Sequence, residues 1–317
     1  MTESKRLSKI QLLSALSKSG VCKAATRRLT AGRALVLSLL GLLCVPLAQA
    51  GDEPVHGLWV WKGPYIVDEP SLATALRDFC SSHGINEVYI SVTAEGAPQL
   101  QMQFARLIAL LHRVNVRVEA LLASENADEP GKHRLKLLER VQAVLEFNQR
   151  HDQGDRFDGI HLDIEPQQRA ENKGADNFRF LPGLVDAYRA VRALAEPSGL
   201  MVNADIQRKL LQASVDQRRM LLSSLPRLTL MLYELSRPDD GESTARQSEI
   251  LRETSGKLLD AAYDGLHETH LAKLVIGLRT PDYGPLMPAM LATLDQAYRT
   301  QKHYQGWAWH SYGDTRP

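Results

Sequence analysis

The 317-residue chain holds 38 Lys and Arg against 37 Asp and Glu, but the two signs are unevenly spread. The first fifty residues contain eight of the basic groups and one acid, so residues 51–317 keep 30 basic and 36 acidic groups, a net of −6. That balance argues against a nucleic-acid binder, and with no Pro/Ser-rich linker or low-complexity tract after residue 50, a single domain is expected over 51–317.

Residues 1–50 read as an export signal. Lys5, Arg6, Lys9, Lys18, Lys23, Arg27, Arg28 and Arg33 form a basic lead-in, an apolar run follows over 34–47, and Ala48-Gln49-Ala50 supplies a small-x-small cleavage pattern. The run falls short of the about 20 apolar residues that span a bilayer comfortably. A cleaved signal is therefore expected over a retained anchor. The mature protein would be exported, periplasmic or secreted, with no stable membrane association. Leu43 before Cys44 does not suit a lipoprotein signal, and Arg27-Arg28 is a weak twin-arginine hint. Loss of Cys22 and Cys44 with the signal leaves Cys80, which lies on an amphipathic helical pattern and reads as a buried thiol.

Strand and helix patterns then alternate. Strands are expected at 56–61, 87–92, 116–123, 159–165, 200–206, 228–234, 274–278 and 305–310. Helices are expected at 72–83, 100–113, 134–150, 177–195, 215–224, 244–269 and 286–301, with apolar spacings of three and four such as Phe104, Leu107, Ile108 and Leu111. Several strands are near-continuous apolar runs, as parallel strands covered on both faces tend to be. Eight strands and seven helices fit an α/β (β/α)8 barrel, which typically needs about 250 residues. A doubly wound sheet competes, but no Gly-rich phosphate loop follows any strand. No eighth helix is expected after the last strand.

The segment Phe157-Asp158-Gly159-Ile160-His161-Leu162-Asp163-Ile164-Glu165-Pro166 carries the chemistry. On a strand, side chains alternate, so Ile160, Leu162 and Ile164 share one face and His161, Asp163 and Glu165 the other. Burying unpaired charge is expensive, and such a row implies a polar cavity. In a barrel the active site lies at the carboxyl ends of the strands. The ends expected here carry Trp61, Glu119, Asp163, Glu165, Asp205, Tyr233, Glu234, Trp309 and His310. Long polar loops at 124–133, 166–176 and 235–243 fall at the same end. All four tryptophans lie on the first and last strands. Trp61 and Trp309 are expected at the active end as stacking surfaces for sugar rings, with Trp59 and Trp307 left to packing. The other reading is that these aromatics plug the seam where a helix is missing.

These residues resemble glycoside hydrolase family 18, the chitinase-like barrels, whose fourth strand carries Asp-Gly-x-Asp-x-Asp-x-Glu. Asp158, Gly159, Asp163 and Glu165 match that pattern, and His161 stands where the family has a carboxylate. Met231-Leu232-Tyr233-Glu234 is similar to the family's Met-x-Tyr-Asp on the sixth strand, with Glu in place of Asp. The resemblance implies that Glu165 protonates the leaving glycosidic oxygen. It further implies that Asp163 holds a substrate N-acetyl group whose carbonyl oxygen attacks the anomeric carbon, and that Tyr233 hydrogen-bonds that carbonyl. No cofactor is expected.

The two departures leave a direct route open, with Glu165 as acid and Glu234, Asp205 or Glu119 as nucleophile or base. Carboxyl separations of about 5–5.5 Å would then mean retention and roughly 6.5–9.5 Å inversion. The leading expectation is an exported glycoside hydrolase whose partner is a polysaccharide or oligosaccharide, possessing catalytic Glu165, Asp163 and Tyr233. Binding roles fall to His161, Trp61, Trp309, Asp205, Glu234 and Glu119. The alternatives are a non-catalytic carbohydrate-binding protein on a degenerate barrel, and a metal-dependent hydrolase using His161 and Asp163.

Overall fold

The computed structural model describes residues 53–92, 98–172, 178–235 and 243–315. The expected export signal and Cys22 and Cys44 lie outside the described residues. In chain order the elements are β1 (Val55–Val60), α1 (Gly63–Asp68), α2 (Pro70–His83), β2 (Glu87–Ser91), α3 (Pro98–His112), β3 (Arg117–Ser124) and α4 (Lys132–Arg150). Then come β4 (Gly159–Ile164), α5 (Leu181–Ala195), β5 (Met201–Gln207), α6 (Val215–Leu222), β6 (Arg227–Met231) and α7 (Thr244–Tyr263). The last are β7 (Lys273–Arg279), α8 (Thr280–Tyr283), α9 (Met287–Tyr298) and β8 (Tyr304–His310). Each strand pairs in parallel with the next, and β8 closes on β1, making the expected (β/α)8 barrel.

Strand alternation sorts the side chains into two cores. Outward residues such as Leu58, Val88, Ile160, Leu162, Val202, Leu230 and Ile276 pack under the helices in one continuous apolar shell. Inside the barrel, Val55, Trp59, Tyr89, Leu121, Val275 and Ala308 form a much smaller apolar cluster. The remaining interior is polar, which is why β4 shows three aliphatics opposite His161 and Asp163, with Glu165 following on the same side. Glycines make room for the large interior aromatics. A Cβ on Gly277 would lie 2.7 Å from the Trp59 ring, and one on Gly57 2.5 Å from the Tyr89 hydroxyl.

Element ends follow local signals. Pro70 opens α2 and left-handed Gly84 closes it, and Ser214 with Gln217 forms a reciprocal capping box on α6. Several expected elements ran too long, among them α9, which stops at Tyr298 rather than 301. β6 stops at Met231 rather than 234, and Glu234 turns the chain with φ of 60°. α7 stops at Tyr263, shortly before Gly265 at φ of 72°. The short helices α1 and α8 have too few turns to show an apolar period.

Among the described residues no α-helix follows β8, only a 3-10 turn at Tyr312–Thr315. Aromatic side chains fill the seam instead. Phe79 of α2 lies 5.4 Å from Trp309 and 5.3 Å from Tyr312 between ring centroids. Further along, His56 stacks on Trp307 at 4.3 Å, and Asp295 of α9 accepts from His56, Trp307 and Tyr304. The expected placement of Trp309 at the mouth is therefore corrected. It pairs in register with Leu58 and Leu278, faces the helix layer, and donates its indole N–H to Thr280 at 2.8 Å. With only 5% of its surface exposed, Trp309 offers no stacking surface to a sugar.

Candidate active site

The barrel interior carries a column of charge that starts low and ends at the mouth. Arg227, near the start of β6, bridges Glu87 and Glu119. Glu119 Oε2 lies 3.0 Å from His161 Nδ1, and His161 Nε2 lies 2.8 Å from Asp205 Oδ1. Asp205 Oδ2 accepts the Trp59 indole N–H at 3.0 Å. Tyr89 stacks on the His161 ring at 3.8 Å. With a carboxylate on each ring nitrogen, His161 must donate from both. Burial alone would lower its pKa, but Asp205 and Glu119 overcome this and lift it to about 10. Glu119 is held below the ordinary range, because Arg227 and His161 outweigh the opposing effect of burial.

Two expectations change here. Glu119 belongs near the amino end of β3, which runs from Arg117, and is wholly buried, so it cannot touch a substrate or serve as nucleophile. His161 is also fully buried and acts only through Asp205 and Glu119. With both ring nitrogens protonated it has no lone pair for a metal ion. Among the described residues no group of three or more His, Cys, Asp and Glu is placed to hold one.

Above the column opens a cavity of 420 Å³ at the carboxyl ends of the strands. It brings together Asp163, Glu165, Asp205, Tyr233, Glu234 and Trp61 from the expected set. Asp163 is 7% exposed, and its Oδ1 has no hydrogen-bond partner. Burial, together with Asp205 and Glu165 nearby, raises its pKa well above the usual carboxylate value. Glu165 follows β4 directly and is half-buried. Burial raises its pKa, and the Asp205 charge adds to this. Amide donors from Gln168, Gln167 and Gln207 only partly offset the shift. Gln167 Nε2 sits 3.0 Å from Glu165 Oε1. Burial likewise keeps Tyr233 as a neutral phenol, a donor rather than an anion.

Trp61, 36% exposed, donates its indole N–H to His310 Nε2 at 2.9 Å. An indole can only donate, so His310 is neutral with its proton on Nδ1. Burial, which lowers the His310 pKa, agrees. Glu234 is largely exposed at the rim, 3.7 Å from Arg279, whose guanidinium is gripped by Asp282 at 2.7 Å. The loops after β3 and β4 are tied by Arg169, which holds Asp128 through two contacts of 2.9 Å. Residues 236–242 of the third expected loop lie outside the described residues.

Sequence reasoning missed Trp59, which lies inside the barrel at the cavity floor and fixes Asp205. It also missed Gln207, Arg208, Lys209 and Arg279 on the cavity wall. A signal existed for two of them. Gln207 is two residues beyond Asp205 on β5, and Arg279 ends β7, both on the inward parity.

No family model matches the sequence, and no curated protein matches it. Among solved structures the chain is similar to the endo-beta-1,4-mannanase from Thermotoga petrophila, with a TM-score of 0.52 and 11% identity, covering 83% of this chain and 68% of that one. It is also similar to a chitinase from Bacteroides thetaiotaomicron, with a TM-score of 0.50 and 12% identity, covering 83% and 90%. The chain shares its fold with glycoside hydrolases. At these identities the likeness is one of architecture, and the cavity has to carry the chemistry.

Chemically, the mouth holds a carboxylic acid with a raised pKa beside a second one with a free oxygen. A neutral phenol and a half-exposed indole line the same cavity. That set can protonate a leaving oxygen, hydrogen-bond an amide or hydroxyl, and stack against an apolar ring face.

Proposed function

We propose that the protein is an exported glycoside hydrolase, akin in chemistry to glycoside hydrolase family 18, that cleaves a polysaccharide containing N-acetylhexosamine. One observation carries the reading. Glu165, with a raised pKa, faces an open cavity two residues from Asp163, whose buried Oδ1 lacks any partner. General acids work best when their pKa lies near the operating pH. Glu165 thus acts as the proton donor to the glycosidic oxygen. Asp163 Oδ1 accepts the N–H of a sugar acetamido group or, when protonated, donates to its carbonyl. Tyr233 supplies a further donor to that carbonyl, and Trp61 is the stacking face.

The column below supports this division of labour. Both Asp205 oxygens are engaged, by Trp59 and by His161, so Asp205 is poised to tune Asp163 rather than to attack. Export follows from the lead-in, apolar run and Ala48-Gln49-Ala50 at residues 1–50.

The test is hydrolysis of a panel of labelled glycans by the native protein and by Glu165→Gln. Loss of a general acid costs about 10²–10⁴-fold in rate. Unchanged turnover in Glu165→Gln removes Glu165 as the acid. Tight glycan binding with no turnover by the native protein would make this a carbohydrate-binding barrel.

A further inference from the structure

The cavity wall beside the acids, at the carboxyl end of β5, carries two cations. Arg208 and Lys209 follow β5 on a 3-10 turn (Arg208–Gln212), and both line the cavity with Glu165. Leu210 and Leu211 of the same turn are buried in the apolar shell, which fixes the turn against the barrel. Arg208 is half-buried. Among the described residues neither Arg208 nor Lys209 makes an ion pair or a hydrogen bond. A guanidinium presents five donors in a planar fork; those of half-buried Arg208, like the exposed Lys209 ammonium, are within reach of water and open to a ligand at the cavity wall.

The local charge balance points the same way. Burial raises the pKa of both Asp163 and Glu165, and Asp205 is paired with the His161 imidazolium. Arg279 is already paired with Asp282, and Glu234 stands near it. Among the described residues, Arg208 and Lys209 are the cations of the wall without a protein partner. Residues 51–317 as a whole carry a net of −6, so this cationic spot runs against the character of the molecule. A neutral glycan offers those two groups hydroxyl acceptors but no opposite charge. A carboxylate matches the guanidinium fork in shape and charge.

We propose that Arg208 and Lys209 form a subsite for a carboxylate on the bound sugar chain, so that the substrate is an acidic polysaccharide carrying uronic-acid-type groups. This rests on the proposed glycosidase reading for its setting at the same mouth, but not for its own test. The subsite would lie along the wall from Glu165, so it would select the chain rather than take part in bond cleavage.

The test measures binding to full-length Glu165→Gln protein, which isolates affinity from turnover. The probes are octamers of hyaluronan, alginate and polygalacturonate, each beside its carboxyl-reduced counterpart. At least one acidic octamer should bind about tenfold tighter than its reduced form, since a charge-assisted contact is worth that much. The preference should shrink between low and 0.5 M salt and disappear when Arg208→Gln and Lys209→Gln are combined. Lys209→Arg, which keeps the charge, should retain it. Equal binding of every pair, no binding of any acidic octamer, or a preference that survives the double substitution overturns the subsite. The glycosidase reading fails separately. Charge-selective binding without any cleavage by the native protein keeps the subsite and removes the hydrolase, and cleavage of neutral glycans without charge preference does the reverse.

Discussion

The lower and upper halves of the barrel interior contain the same kinds of residue in opposite conditions. Below, Glu87, Arg227, Glu119, His161 and Asp205 alternate in sign, and every charge meets an opposite one. Above, Asp163 keeps an unpartnered oxygen, Glu165 is held only by side-chain amides, and Arg208 and Lys209 pair with nothing among the described residues. Charge that is fully paired inside a protein cannot be spent on a substrate. The difference between the two halves separates what holds the barrel from what reacts in it, although β4 contributes to both through His161 and Asp163.

The sharpest way to break the comparison is at its boundary. His161→Asn strands Glu119 and Asp205 without their shared cation, and removing one partner of a buried pair costs about 3–5 kcal/mol. Urea denaturation should show that loss, whereas Glu165→Gln should shift stability by less than about 0.5 kcal/mol. A smaller loss in His161→Asn would mean that the column is not holding the barrel together. pH sharpens the same point. The folded His161 pKa of about 10 lies above its unfolded value near 6.5, so its stabilising contribution is complete below pH 6.5. That contribution declines as pH rises toward 10, and the decline attributable to His161 should be missing from His161→Asn.

The tryptophans give a second contrast. Trp309→Ala empties a buried aromatic site and should cost about 3 kcal/mol. Trp61→Ala, at the half-exposed mouth, should leave stability within about 0.5 kcal/mol while weakening glycan binding. Equal stability losses would contradict the opposite facing of these two rings. A modest effect of opposite sign is expected at Asp163. Its raised pKa means that the folded state disfavours the carboxylate at neutral pH, so Asp163→Asn should stabilise by about 1 kcal/mol while turnover falls. A drop in the melting temperature would show that Asp163 serves the fold instead.

Much of the barrel was legible because strand and helix periods are local. Ile160, Leu162 and Ile164 against His161, Asp163 and Glu165 announce an inside and an outside. What alternation cannot say is which parity is the inside on a strand with large apolar groups on both. Trp59 and Trp309 illustrate this. Both are aromatic and buried, yet Trp59 sits on the inward parity of β1 and Trp309 on the outward parity of β8, where Phe79 and Tyr312 replace a helix. Height along the strand is also invisible. Glu119 and Asp163 are both inward acids, but Glu119 enters near the amino end of β3 and meets Arg227 from three strands away in sequence order. Arg208 escaped notice because an arginine after a strand has no pattern of its own. Only the structure shows that it lines the cavity and lacks a partner among the described residues.

The brace between Asp128 and Arg169 has a wider bearing. Arg169 directly follows Gln168, whose amide helps steer Glu165, so the buried Asp128 acts as a mooring for the acid without coming near a substrate. The wall on that side is one piece built from two segments far apart in sequence. Any reshaping of this flank, by natural drift or by an engineer, has to move both segments in concert.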